Sequence, residues 1–170
     1  MKAFLQGTWL KHPLHPTLVH VPTALWTAAL IFDILANLGI GGNAMVRTSF
    51  YAIGFGLLVA LLAIPTGLAD WWDIGRDKPA WKLGLYHLIL NAVVTIIWAV
   101  NFYLRLDTAF VATTIASLPL LLSILGALIL FISGYLGGRM VYDYGTSVAR
   151  NSKEKWRRIA EAGQARVPPE

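Results

Sequence analysis

Residues Leu83 to Leu104 read LGLYHLILNAVVTIIWAVNFYL, a stretch with no Asp, Glu, Lys or Arg. About 20 such residues, wound as a helix, cross a hydrocarbon layer of about 30 Å. In that solvent the backbone must satisfy its own hydrogen bonds, which a helix does within one segment. Working outward, three more stretches reach a similar length: Leu18 to Leu38, Phe50 to Leu68 and Leu118 to Leu136. Of the 170 residues, 56% are hydrophobic and 14% charged, a balance that suits a bilayer better than water.

Punctuation frames these runs. His15-Pro16 opens the first helix and Gly39 with Gly41-Gly42 closes it; Lys82 and Arg105 bracket the third; Ser117 and Pro119 suit the start of the fourth. Pro65, in Pro65-Thr66-Gly67, predicts an interruption of the second helix that frees the Leu61 carbonyl. The connections, about 39–48, 69–82 and 105–117, are too short for another domain, so consecutive helices are antiparallel neighbours. The fold class expected is all-α, an integral membrane up-down four-helix bundle over residues 1–145, followed by a basic tail over 146–170. Within that tail Ser152 to Ala162 (SKEKWRRIAEA) predicts a surface helix. No internal repeat is apparent, and Met1 to Lys11 lacks the apolar core of a cleaved signal peptide.

Charge sets the orientation. With the N-terminus inside, that side holds Lys2, Lys11, Arg76, Lys78, Lys82, Arg139, Arg150, Lys153, Lys155, Arg157, Arg158 and Arg166, against Arg47 and Arg105 on the other. Positive residues favour the cytoplasmic side, so both termini are expected there, in a bacterial inner membrane. The formal charge of +5 is thereby a matter of topology, and no nucleic-acid partner is expected. With no cysteine, disulfides, thiolate metal sites and cysteine nucleophiles are excluded. No nucleophile motif, phosphate loop or catalytic carboxylate pair marks an enzyme.

All four histidines fall at the end of the bundle that carries the N-terminus: His12 and His15 in KHPLHP, His20 in LVHVP and His87 in LYHLILN. His20 and His87 each lie about one turn into a span, on helices one and three, which are diagonal in an up-down bundle. They are expected at one level, facing each other through a ligand, because ionisable groups inside membranes are functional by default. Asn91, four residues after His87, is placed to orient its ring. Thr66, Asp70 and Arg139 complete the polar group. Asp33, deeper in the first helix, calls for a partner in Arg47 or Arg105. Trp71, Trp72 and Trp81 form an inner aromatic belt, with Trp98, Phe102 and Tyr103 approaching the outer one. Small residues mark helix contacts: Gly54, Gly56 and Ala60 on the second helix, Gly126, and Gly134 with Gly138 as a small-xxx-small pair on the fourth.

HPLHPTLVHVP near the start, the Asp33 of IFDIL, GLADW after helix two, YHLILN opening helix three and SGYLGGRMVYDYG closing helix four together resemble the bacterial membrane-protein family known as domain of unknown function 2231. The resemblance runs in order from about His12 to Gly145. It implies a membrane four-helix domain of no assigned activity, in a redox setting, since some relatives are fused to Rieske-type or cytochrome c-type domains. Members often carry a basic residue and a His after the motif's Tyr, where this chain has Asp143 and Tyr144 after Tyr142.

Three functions follow. The first is an accessory membrane subunit of a larger, respiratory or redox, complex, with lipids and other subunits as partners and a His-lined cytoplasmic-side site. The second is a b-type haem electron-transfer subunit with His20 and His87 as axial ligands and Thr66, Asp70, Asn91 and Arg139 around the propionates. The third is a zinc or copper site from His12, His15, His20 and His87.

Overall fold

The computed structural model describes residues 1–10 and 12–146. Five α-helices appear: α1 (Lys2–Leu5), α2 (Leu14–Asn37), α3 (Gly42–Trp71), α4 (Pro79–Leu104) and α5 (Ser117–Tyr142), with a 3-10 turn at Thr8–Leu10 between α1 and α2. The four long helices are each long and apolar enough to cross a membrane. α2 packs on α3 and α4 on α5, while α3–α4 and α2–α5 contacts close the square. The bundle is therefore up-down, with α2 and α4 diagonal, and no strand occurs among the described residues.

The helices extend beyond the apolar runs that predict them, because hydropathy marks the hydrocarbon layer and helical hydrogen bonding continues into the interface. α2 begins at Leu14, after the extended Pro13, instead of Leu18. α3 begins at Gly42, directly after Gly41 turns the chain with φ +72°. α4 opens on Pro79, where a missing N–H costs nothing. α5 continues past Leu136 to Tyr142, its last turn carrying an ion pair between Arg139 and Asp143 at 2.7 Å. Pro65 does not end α3, which runs through it to Trp71. The predicted surface helix at 152–162 lies outside the described residues.

Trp98 is not part of an interfacial belt. It is fully buried and stacked on Trp26 of the diagonal helix, ring centroids 5.6 Å apart. Each indole lies against a glycine: a Cβ on Gly56 would fall 2.3 Å from Trp26 Nε1, and one on Gly126 would fall 2.8 Å from Trp98 Nε1. Gly134 and Gly138, read as a helix contact, have open space where a Cβ would stand. Among the α5 glycines, the expected contact at Gly126 is present, against Trp98, and Gly137 lies against His87.

At the end of the bundle away from the N-terminus, Asp33 finds Arg105, while Arg47 lies over the Phe110 ring. The guanidinium Nη1 and Nη2 each donate to a carboxylate oxygen at 2.7 Å. Nη1 also donates to Ser49 Oγ at 3.0 Å, Nη2 to Ser123 Oγ at 2.9 Å and Nε to Asn101 Oδ1 at 2.8 Å. Ser49 and Ser123 in turn donate to Asp33, at 2.5 and 2.6 Å. All five residues are at most 2% exposed. The cluster draws side chains from α2, α3, α4 and α5 and from the residue after α4, so it binds every span to the others. Beside it Asn37 clasps Ile115, accepting from its N–H at 2.6 Å and donating to its carbonyl at 3.1 Å.

At the opposite end α1 docks under α3. Lys2 pairs with Asp73, and Gln6 Nε2 donates to the Ala69 carbonyl at 3.2 Å and to Asp73.

Candidate functional site

The imidazole that meets His87 is His15. Their ring centroids are 6.5 Å apart, nearly perpendicular at 88°, on the diagonal helices α2 and α4. His20 is exposed on the outer surface of α2. Five residues along a helix turn about 140°, so once α2 is known to start at Leu14, His15 and His20 cannot share a face. Placing the helix start at Leu18 left His15 outside the span and His20 as the apparent inward group. A usable signal was present: Trp26 and Asp33 stand 11 and 18 residues after His15, spacings that return to within about 20° of the same face.

Both rings hang from main-chain carbonyls. His15 Nδ1 lies 3.0 Å from the Ala63 carbonyl of α3, and His87 Nδ1 lies 2.8 Å from the Ser133 carbonyl of α5. A carbonyl only accepts, so each Nδ1 carries the proton and each Nε2 carries the lone pair. A glycine makes room for each ring. A Cβ on Gly67 would fall 2.6 Å from His15 Cε1, and one on Gly137 would fall 3.0 Å from His87 Cε1.

Asn91 orients His87 as its spacing predicts: Nδ2 lies 3.1 Å from His87 Nε2 and donates to Ser133 Oγ at 2.8 Å. Thr66 is buried beside His15, its Oγ1 3.3 Å from Nδ1 while it donates to the Ala63 carbonyl at 2.7 Å. Asp70 is half-buried one turn further along α3. Arg139 is engaged with Asp143, and His12 is exposed. Thus His15, Thr66, His87, Asn91 and Ser133 come together; His12, His20 and Arg139 stand apart. Ser133, whose carbonyl holds His87 Nδ1 and whose Oγ accepts from Asn91 and lies 3.1 Å from the same Nδ1, escaped the sequence reading because a lone serine in an apolar run has no partner at helical spacing to mark it. No group of three or more His, Asp or Glu side chains able to share a metal ion occurs among the described residues.

The family profile described as a predicted membrane protein, domain of unknown function 2231, matches residues 11–150. The chain belongs to this family. The match spans all four membrane helices and the whole His cluster, so the site is part of the 2231 domain itself. No curated protein and no solved structure matches the chain.

For a haem held between two axial imidazoles, both rings must converge on one iron. His20 and His87 do not converge, since His20 is on the outer surface. His15 and His87 do approach, and Nδ1–H donation to a carbonyl is the usual support of a ligating imidazole; the Asn91 amide on His87 Nε2 would have to move aside.

Proposed function

We propose that this 2231-family chain is an accessory membrane subunit of a larger redox complex in the bacterial cytoplasmic membrane, with both termini inside and the His15–His87 cluster at its inner end. The observation that carries this reading is His20. Ionisable side chains within membrane helices almost always face protein or water, yet His20 stands exposed on α2 with no partner among the described residues. A neighbouring membrane helix that hydrogen-bonds the imidazole accounts for it. The open face at Gly134 and Gly138 of α5 supports the same reading, since small residues let a second helix approach closely. The redox setting rests on the company that the family resemblance implies, and the orientation on the distribution of Lys and Arg.

The test is copurification from native membranes under mild solubilisation. The wild-type chain is expected in an assembly larger than its own micelle, and His20→Ala to fold normally but leave that assembly. Wild type migrating alone, or His20→Ala retaining every partner, contradicts the proposal.

The carbonyl-anchored pair favours a second reading, a b-type haem bound by His15 and His87. It predicts a Soret band in the native complex that His15→Ala and His87→Ala abolish and His20→Ala keeps. Its absence from wild type ends that reading.

A further inference from the structure

We propose that the membrane domain is one helical hairpin present twice, α2–α3 and α4–α5, packed about a pseudo-twofold axis along the bundle, with His15 and His87 as the two equivalent halves of a single site on that axis.

The sequence alone did not show a repeat; contacts supply the register. Setting α2 on α4 with a shift of 72 positions (15 to 87) aligns HPTLVHVPTALW at 15–26 with HLILNAVVTIIW at 87–98. The identical pairs are His15/His87, Leu18/Leu90, Val21/Val93, Thr23/Thr95 and Trp26/Trp98. Burial follows the same register: Pro22, Trp26, Ala29 and Asp33 are buried on α2, and Val94, Trp98, Asn101 and Arg105 are their counterparts. Setting α3 on α5 with a shift of 70 (56 to 126) pairs Gly56 with Gly126, Leu58 with Leu128 and Gly67 with Gly137, and continues past the helices to Asp73/Asp143 and Gly75/Gly145. Ser49, Ile53, Gly56, Ala60 and Ala63 are buried on α3, and so are Pro119, Ser123, Gly126, Leu130 and Ser133 on α5.

Specific contacts repeat in this register. Gly56 underlies Trp26 as Gly126 underlies Trp98, and Gly67 underlies His15 as Gly137 underlies His87. The His15–Ala63 carbonyl bond has its counterpart in His87–Ser133. Thr23 donates to the Val19 carbonyl at 2.8 Å as Thr95 donates to the Asn91 carbonyl at 2.7 Å. Both hairpins start at the same end of the bundle, so the axis runs along it, as in parallel membrane repeats. The axis passes between the imidazoles and between the stacked indoles, where equivalent residues must meet.

The halves differ at the indoles, where Trp26 Nε1 donates to the Ile53 carbonyl at 3.3 Å and Trp98 Nε1 has no acceptor among the described residues; at positions 33 and 105 the difference has a physical reason. Equivalent positions on an axis touch each other, and two like charges there would repel in low dielectric. Positions 33 and 105 hold Asp and Arg instead, an ion pair across the axis. Two neutral imidazoles carry no such conflict, and ring, carbonyl and glycine all persist in both halves.

The chain has no cysteine, so pairs of introduced cysteines report directly. The Phe50–Phe102 contact between α3 and α4, centroids 4.5 Å apart, maps onto Leu30 and Leu120 of α2 and α5. In full-length protein in membranes, L30C/L120C is expected to join through a short bis-thiol reagent as F50C/F102C does, several-fold above the off-register pair L30C/I124C. Cross-linking of F50C/F102C with L30C/L120C no better than the off-register pair overturns the repeat. For the half-sites, 15N spectra of labelled histidine are expected to show both buried rings protonated at Nδ1, with Gly67→Ala shifting only His15 and Gly137→Ala only His87, by similar amounts. One ring protonated at Nε2, or either alanine shifting both rings alike, overturns their equivalence.

Discussion

At the Arg105 end of the bundle a buried charged cluster leaves no donor of the guanidinium without an acceptor, whereas at the His end two imidazoles are held through Nδ1, with the Nε2 of His15 left for lone-pair chemistry and that of His87 met by the Asn91 amide at 3.1 Å. The first region is completed within the chain and joins four helices. The second is half-buried, and its rings are positioned by backbone carbonyls and glycines that fix direction and leave the Nε2 of His15 unengaged. A satisfied buried network reads as a clamp; an oriented pair with a lone pair to spare on His15 reads as a site.

The comparison breaks most readily at the clamp. Asp33→Ala or Arg105→Ala leaves an uncompensated buried charge and is expected to cost about 3–5 kcal/mol, seen as a large fall in the thermal unfolding midpoint in detergent. The double variant Asp33→Leu/Arg105→Met removes both charges and is expected to be milder than either single change. Next come the glycines under the indoles: Gly56→Ala, whose Cβ would meet Trp26 Nε1, is expected to cost about 1–3 kcal/mol by overpacking, while Gly134→Ala, which meets nothing, leaves unfolding of the isolated chain unchanged. At the His end, His15→Ala and His87→Ala are each expected to lose about 1 kcal/mol, the scale of one hydrogen bond, in the same unfolding assay. Losses there as large as at Arg105 would erase the distinction between clamp and site.

The smallest effect sharpens the His end. Hydrogen bonds from Lys2, then Gln6, hold the Asp73 carboxyl below its ordinary range. A depressed folded value means that the contact stabilises above the ordinary carboxylate pKa and is lost as pH falls through the lowered one. Being exposed, it is worth at most about 1 kcal/mol. Protease access to the first ten residues is expected to rise on acidification below that range in wild type, and to be high already at neutral pH in Asp73→Asn.

Four spans and their alternation were legible because bilayer thickness writes itself into composition, and the Arg105 partner of Asp33 was one of two arginines on the far side. The inward histidine was not legible, since it depended on where α2 starts, and interfacial helix ends leave no hydropathy signal. Trp98 misled for a related reason: tryptophan marks membrane interfaces in general, and only the Gly126 across from it lets the ring enter the core. The repeat stayed hidden because its identical residues are scattered among unlike neighbours and its two helix pairs align at different shifts, 72 and 70, so that tertiary contacts were needed to set the register.

The central claim is that His15, and not His20, faces His87 inside the bundle. The most direct measurement is a magic-angle-spinning NMR correlation between ring-labelled histidines in bilayers, assigned by single His→Ala variants. The account predicts a through-space cross-peak between His15 and His87 that survives in His20→Ala. A His20–His87 cross-peak with none from His15 would contradict it.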